Sequence, residues 1–258
     1  MGCDRGEGYP LDGEGPARSV DVEPFAIAAT AVTNREFGAF VGDSGYVTDA
    51  ERFGWSFVFD AFVTPQGRKD VRGHAGGAPW WLGVGGASWS QPFGAGSSVV
   101  GLEEHPVVHV SLNAALAFCT RARVRLPSEP EWEYAARGGL DRRRYPWGDE
   151  LAANGTWLCN IWKGTFPSEN TEDDGYSGTA PVRSFPPNGF GLYEVSGTVW
   201  EWCADRWERP RPKEAHVTRG GSYLCHESYC NRYRVAARSS NTPDSSGGNL
   251  GFRVARDG

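Results

Sequence analysis

No apolar run in these 258 residues approaches the length of a bilayer-spanning helix, which excludes a helical membrane protein. The opening, Met1-Gly-Cys-Asp-Arg-Gly-Glu7, lacks the apolar stretch of a signal peptide. Gly6 stands where a myristoylation signal needs Ser or Thr, so Gly2 reads as part of an ordinary loop. Basic residues are not in excess: 26 Lys and Arg face 32 Asp and Glu, and the formal net charge of -6 argues against a general nucleic-acid or membrane-surface binder. No fixed-period repeat runs through the chain. No Cys-x-x-Cys pair occurs either, which removes the usual thiol-redox protein. The expectation is a soluble, cytoplasmic chain whose six cysteines stay mostly reduced.

Aromatics make up 13% of the residues, with 11 Trp, beside 35 Gly and 17 Pro. Such a composition predicts an α+β fold, rich in turns and sparse in regular structure, stiffened by packed rings rather than by long helices. The length fits one compact domain over 1–258.

Local signals place a few elements. Alternation over Val20 to Ala29 predicts a strand, and Thr33 with Glu36 forms a capping box for a helix ending near Gly42 or Gly45. Phe53 to Trp89 reads as packed loops with isolated strands. His105 to Val110 reads as a strand, Ser111 caps a helix carrying Leu116, Ala117 and Phe118, and Ser128 with Glu131 opens a helix ending before Gly138. His105 and His109 would make a metal pair on a helix, but Pro106 and the valines oppose helix, so both read as structural. Glu208 to Ala215, charged and proline-rich, reads as a surface connection.

Most of the chemistry sits in Arg219-Gly-Gly-Ser-Tyr-Leu-Cys225-His-Glu-Ser-Tyr-Cys230-Asn-Arg-Tyr-Arg234. Positions i and i+5 meet in neither a helix nor a strand, so the two thiols can join only across a bend. Two thiolates suit Cu(I), whereas structural zinc wants four ligands, and Cys3, Cys119, Cys159 and Cys203 are scattered singly. From spacing alone, a short disulfide loop, two unrelated buried thiols and a copper pair all stand open, with the first two ahead.

With these residues in view the chain resembles the formylglycine-generating enzymes, or sulfatase-modifying factors. The phrases that carry the resemblance are Gly13-Glu-Gly-Pro-Ala-Arg18, Phe53-Gly-Trp-Ser-Phe-Val-Phe59, His105-Pro-Val-Val-His-Val110, Arg125-Leu-Pro-Ser-Glu129, Tyr145-Pro-Trp-Gly148, Asn160-Ile-Trp162, Asn188-Gly-Phe-Gly-Leu-Tyr193, Trp200-Glu-Trp202, the double-cysteine segment, Asn241-Thr-Pro-Asp-Ser-Ser246 and Asn249-Leu-Gly-Phe252. The resemblance implies a fold related to C-type lectins. It implies Cu(I) held by Cys225 and Cys230, and O2-dependent conversion of a cysteine in a Cys-x-Pro-x-Arg motif of an unfolded sulfatase polypeptide into formylglycine. By the same resemblance Ser222, Trp200, Tyr229 and Asn249 shape the pocket, although Trp200 alone would read as a core ring.

The resemblance also implies calcium, at Asn160, Ile161, Asp174 and Tyr176 in one set and at Glu194, Gly197, Val199 and Glu201 in a second. Glu194 stands where the family commonly has Asn. Val235 and Val254 occupy positions that carry disulfide cysteines in relatives from oxidising compartments, which agrees with the cytoplasm. The expected partner is the sulfatase polypeptide, with no nucleic acid and no membrane, and the chain is expected to be a monomer. Arg232, Arg234 and Arg238 read as ion-pair formers outside the catalytic set. The competing expectation is a non-catalytic scaffold binding peptide or carbohydrate.

Overall fold

Side-chain caps set where the helices begin. Thr33 accepts from the Glu36 amide while Glu36 reaches back to the Thr33 amide at 2.8 Å, so the predicted capping box opens α1, Asn34–Ser44, which Gly45 closes in the left-handed region. A second box at Thr48 and Glu51 opens α2, Asp49–Phe53. Ser111 caps α3, Leu112–Ala122, and Ser128 with Glu131 caps α4, Glu129–Arg137, which ends at Gly138 as predicted. Each box satisfies amides that the first turn leaves without partners. On α3, Leu112, Ala115 and Cys119 face the core, whereas Leu116 is exposed, because the helix turns that position outward.

The computed structural model describes residues 1–208 and 214–258 of one compact unit of mixed helices and sheets. The predicted Val20–Ala29 strand shrinks to β1, Phe25–Ile27: Pro24 has no amide to extend the ladder. Phe53–Trp89, expected as isolated strands in loops, folds instead into a three-stranded antiparallel sheet of β2 (Trp55–Phe59), β3 (Val71–Ala75) and β4 (Ala78–Gly85), in the order β2-β4-β3. Gly76 and Gly77 make the tight turn between β3 and β4, a hairpin signal that the surrounding glycine-rich text masks.

Two short hairpins follow, β5 (Ala152–Ala153) with β6 (Thr156–Trp157) and β7 (Gly164–Thr165) with β8 (Glu169–Asn170). The central sheet has the order β11-β10-β9-β12, built from β9 (Trp200–Arg206), β10 (His216–Arg219), β11 (Arg238–Asn241) and β12 (Leu250–Gly251). β13, Ala255–Asp257, pairs antiparallel with β1. The connection over 208–215 lies largely outside the described residues. Among those described, no helix is long and apolar enough to cross a membrane.

His105–Val110 is no strand. Pro106 interrupts it and His109 adopts φ 59°, so its amides bond sideways, Val107 to the Val32 carbonyl and His109 to the Gly247 carbonyl, each at 2.9 Å. Both histidines are structural, as expected: His105 Nδ1 meets Thr179 Oγ1 at 2.8 Å, and His109 spans Ser56 Oγ and the Pro92 carbonyl, both at 2.8 Å.

One apolar core joins α1 and α3 to Trp202, Leu250 and Phe252, and a second lies between α4 and the face of β9 and β10. Where regular structure gives out, buried ion pairs tie the loops: Glu201 with Arg253, Glu14 with Arg234 and Glu129 with Arg238 are each bidentate. Such pairs fix geometry because breaking one strands a charge away from water.

Candidate functional site

The double-cysteine segment leaves β10 and returns to β11 without helix or strand of its own. Its bend is local: the amides of Tyr229 and Cys230 both donate to the His226 carbonyl, at 3.0 and 2.7 Å, and the Cys225 amide donates to the Ser222 carbonyl at 2.8 Å. This turn brings the Cys225 and Cys230 sulfurs within 2.6 Å of each other. All six cysteines are free, and this pair is buried in the floor of a cavity of about 340 Å³. The reading of two unrelated thiols therefore fails, and no disulfide joins them.

The two sulfurs differ electrostatically. Burial pushes the Cys225 thiol well up, whereas the hydrogen bond from Cys225, and then the nearby Arg232 guanidinium, hold Cys230 below the ordinary thiol value. The pair thus favours one thiolate, on Cys230, with its partner donating to it.

Four further side chains expected here line the same cavity: Trp200, Ser222, Tyr229 and Asn249. Trp200 begins β9, and its amide donates to the Asn249 carbonyl at 2.8 Å, so β9 and the 246–250 turn are tied at the cavity edge. Trp200 is a pocket wall as well as a ring packed against the core. Asn249 Nδ2 donates to Ser222 Oγ at 2.9 Å, fixing the hydroxyl three residues before Cys225. Tyr229 stacks flat on Phe166, centroids 4.5 Å apart, with Trp80 edge-on at 4.8 Å.

Sequence reasoning missed several residues of this cavity. Phe57 and Trp81 come from the unforeseen β2-β4-β3 sheet, and Ser239 to Asn241 come from β11. Arg232, set aside as a structural ion-pair former, does pair with Asp12, at 2.5 Å, and stacks over Tyr9 at 3.9 Å, but it also lines the cavity. Ser246 meets Ser56 at 2.7 Å, and Ser56 meets the buried His109, so a polar chain runs from the pocket wall into the framework. Of these, only the Gly76-Gly77 hairpin had a local signal; the rest are contacts between distant segments.

The oxygen-bearing residues fall into two linked sets. Asp174 accepts from the Ile161 and Tyr176 amides at 3.0 and 3.2 Å, which draws Asn160, Ile161, Asp174 and Tyr176 together. Asn160 Oδ1 is buried with no partner, and burial raises the Asp174 carboxyl. Asn160 bridges to Gly197 of the second set, whose Glu194 adopts φ 47°, has its carboxyl raised by burial and keeps Oε2 buried without a partner. Glu201 differs from the rest: Arg253 takes both its carboxylate oxygens and Trp132 Nε1 donates to one of them at 2.6 Å, so that side chain is held by protein partners.

The donor chemistry fits the two implied metals differently. Two soft sulfurs side by side suit Cu(I). Buried orphan acceptors on Asn160 and Glu194 suit a hard cation such as calcium, with carbonyls completing the set. Among the described residues no group of three or more His, Cys, Asp or Glu converges, so any calcium would rest on amide and carbonyl oxygens as much as on carboxylates.

A family model described as the sulfatase-modifying factor enzyme 1-like domain matches residues 1–258. A formylglycine-generating enzyme from Thermomonospora curvata is 57% identical, over 100% of this chain and 90% of its own. One from Streptomyces coelicolor is 58% identical, over 100% and 86%. A mouse protein named inactive C-alpha-formylglycine-generating enzyme 2 is 48% identical, over 99% and 82%. Among solved structures, PvdO from Pseudomonas aeruginosa matches with TM-score 0.68 at 25% identity, covering 100% of this chain and 90% of that one.

Proposed function

The chain belongs to the family of sulfatase-modifying factor enzyme 1-like domains, and from that premise we propose that it converts a cysteine of a sulfatase polypeptide into formylglycine, with Cu(I) and O2. The observation that carries the reading is the meeting of Cys225 and Cys230 in the floor of the aromatic and hydroxyl-lined cavity. The mouse relative is named inactive, so family membership alone does not carry it; the paired thiols do.

Cys225 and Cys230 would hold the copper, which when bound supplies the one-electron activation of oxygen that side chains cannot. The substrate CH2–SH group plus water gives an aldehyde, hydrogen sulfide, two protons and two electrons, and dioxygen takes up those protons and electrons as hydrogen peroxide or, with two more of each from an external thiol reductant, as water. The chain's own groups do the positioning. Ser222, held by Asn249, presents its hydroxyl beside the sulfurs, and Trp200 and Tyr229 wall the cavity and exclude water. The substrate is an unfolded segment bearing Cys-x-Pro-x-Arg, calcium occupies the Asn160 and Glu194 loops, and the enzyme works as a cytoplasmic monomer.

The test is mass spectrometry of a Cys-x-Pro-x-Arg peptide after aerobic incubation with Cu(I)-loaded protein, beside Cys225→Ser and Cys230→Ser variants. Aldehyde formed by the parent alone supports the oxidase. A peptide left intact by folded, copper-bound protein replaces it with a non-catalytic scaffold that binds peptide or carbohydrate.

A further inference from the structure

Near the N-terminus, Tyr9-Pro-Leu-Asp12 folds into a turn whose Asp12 amide donates to the Tyr9 carbonyl at 2.9 Å. Pro10 stands at the second position, where its fixed φ favours the turn, and Leu11 is left exposed at the tip. Both ends of the turn reach one side chain of the double-cysteine segment. The Arg232 guanidinium lies 3.9 Å over the Tyr9 ring, and its Nε donates to Asp12 at 2.5 Å.

The Tyr9 hydroxyl has a further engagement. It accepts from the Asn231 amide at 3.0 Å and donates to the Tyr229 carbonyl at 3.4 Å. These groups flank Cys230, one on each side, so a single phenol brackets that residue from 220 positions away. The two cysteines are thus anchored from different places. Cys225 is tied by its amide to the Ser222 carbonyl and by its own carbonyl to the Trp162 amide, at 3.1 Å. The Cys230 amide bonds within the turn, to His226, and the Tyr229 ring is packed by Phe166 and Trp80. Around Cys230 the backbone is held from the N-terminal segment: Tyr9 on both neighbours, and Glu14 through Arg234, whose Nε donates to the Asn231 carbonyl at 2.8 Å.

We propose that Tyr9 is a positioning residue for the thiol pair, its hydroxyl fixing the backbone on both sides of Cys230 and so the place of that sulfur beside Cys225. Copper as the occupant of the pair is taken from the proposed function, whereas the placement follows from the contacts alone. Two sulfurs capture one atom tightly when they are already spaced for it, and outer partners that orient a ligand are typically worth about tenfold or more in metal affinity.

Tyr9→Phe keeps the ring against Arg232 and removes only the hydroxyl. Ser128→Ala, which removes the cap of α4 outside the pocket lining, controls for a comparable loss of stability. Three readings are taken on the folded, metal-free proteins. They are amide hydrogen exchange over 226–234 by mass spectrometry, anaerobic Cu(I) affinity against a chromogenic chelator, and affinity for phenylarsine oxide, whose arsenic bonds two neighbouring thiol sulfurs and releases its oxygen as water. Tyr9→Phe is expected to exchange faster over 226–234 and to hold both Cu(I) and the arsenical about tenfold more weakly, with Ser128→Ala matching the parent in all three. Unchanged affinities in Tyr9→Phe overturn the proposal and leave the hydroxyl a fastener of the chain. Equal weakening in Ser128→Ala overturns it too, by assigning the loss to global stability. A parent that captures the arsenical but not Cu(I) removes copper from the proposed function, and Tyr9 then stands or falls on the arsenical affinity of its variant.

Discussion

The thiol pocket and the oxygen-bearing loops solve one problem in opposite ways. Both gather ligands on loops, and both touch the start of β9, where Trp200 walls the pocket and Gly197 meets Asn160. In the pocket the donors are two side chains from one short turn, held by bonds inside residues 222–230. In the oxygen loops the donors come from separate stretches between 160 and 201, and the buried acceptors on Asn160 and Glu194 have no protein partner. Chemistry in the pocket is therefore separable from stability, while in the oxygen loops stability depends on what meets those acceptors.

The sharpest way to break this contrast is Cys225→Ser or Cys230→Ser. Each is expected to abolish peptide oxidation by about a thousandfold or more, as loss of one member of a unit that acts together does. Stability, read by urea titration, is expected to move by only about 1 kcal/mol, because the turn bonds remain. A variant that unfolds instead makes the thiol pair a structural staple.

Acidification probes what lies under the pocket. His109 is wholly buried and its pKa is lowered by burial from 6.5 to about 4, the Pro92 carbonyl offsetting little of this. Below 6.5 the unfolded chain gains a proton that the folded chain refuses, so this stability is complete above 6.5 and is lost as pH falls toward 4. The loss amounts to about 3 kcal/mol over that window. His109→Gln is expected to flatten the slope of urea stability against pH, and an unchanged slope would remove His109 as its source.

How much of this was readable in advance follows from distance along the chain. The caps at Thr33, Ser111 and Ser128 are contacts of three residues, so sequence alone placed α1, α3 and α4. The paired cysteines announce themselves by type and spacing. By contrast Arg232 meets Asp12 across 220 positions and Ser56 meets Ser246 across 190, and nothing local marks either. The β2-β4-β3 sheet hid for another reason: glycines at Gly73, Gly76, Gly77 and Gly83 interrupt the alternation that normally advertises a strand. Nothing local shows, either, that the Glu201 carboxylate is engaged by an arginine 52 residues away.

The oxygen loops are tested by Asp174→Asn. In the parent, calcium at about a hundred times its dissociation constant is expected to add between about 2 and 3 kcal/mol to unfolding stability, and chelator to remove it. The variant is expected to lose most of that gain while keeping its thiol chemistry when calcium is saturating. Calcium-independent melting of the parent would show that the buried acceptors are met by water and that the loops do not wait on a cation.

Ser222→Ala has the smallest expected effect and divides the pocket most finely. Its hydroxyl accepts from Asn249 Nδ2 and, at 3.3 Å, from the Leu224 amide, so it supports both the 246–250 turn and the step into Cys225. Removing it leaves Asn249 without its acceptor in a half-buried site, a cost of about 1 kcal/mol. If Ser222 only supports the turn, kcat/KM and stability fall together and Cu(I) affinity, read by competition with a chromogenic chelator, drops with them. If the hydroxyl also faces the reacting cysteine, kcat falls about tenfold further than stability accounts for, with Cu(I) affinity unchanged. The second outcome is expected, because the two sulfurs are held by backbone bonds to His226 and Ser222 that the substitution leaves in place.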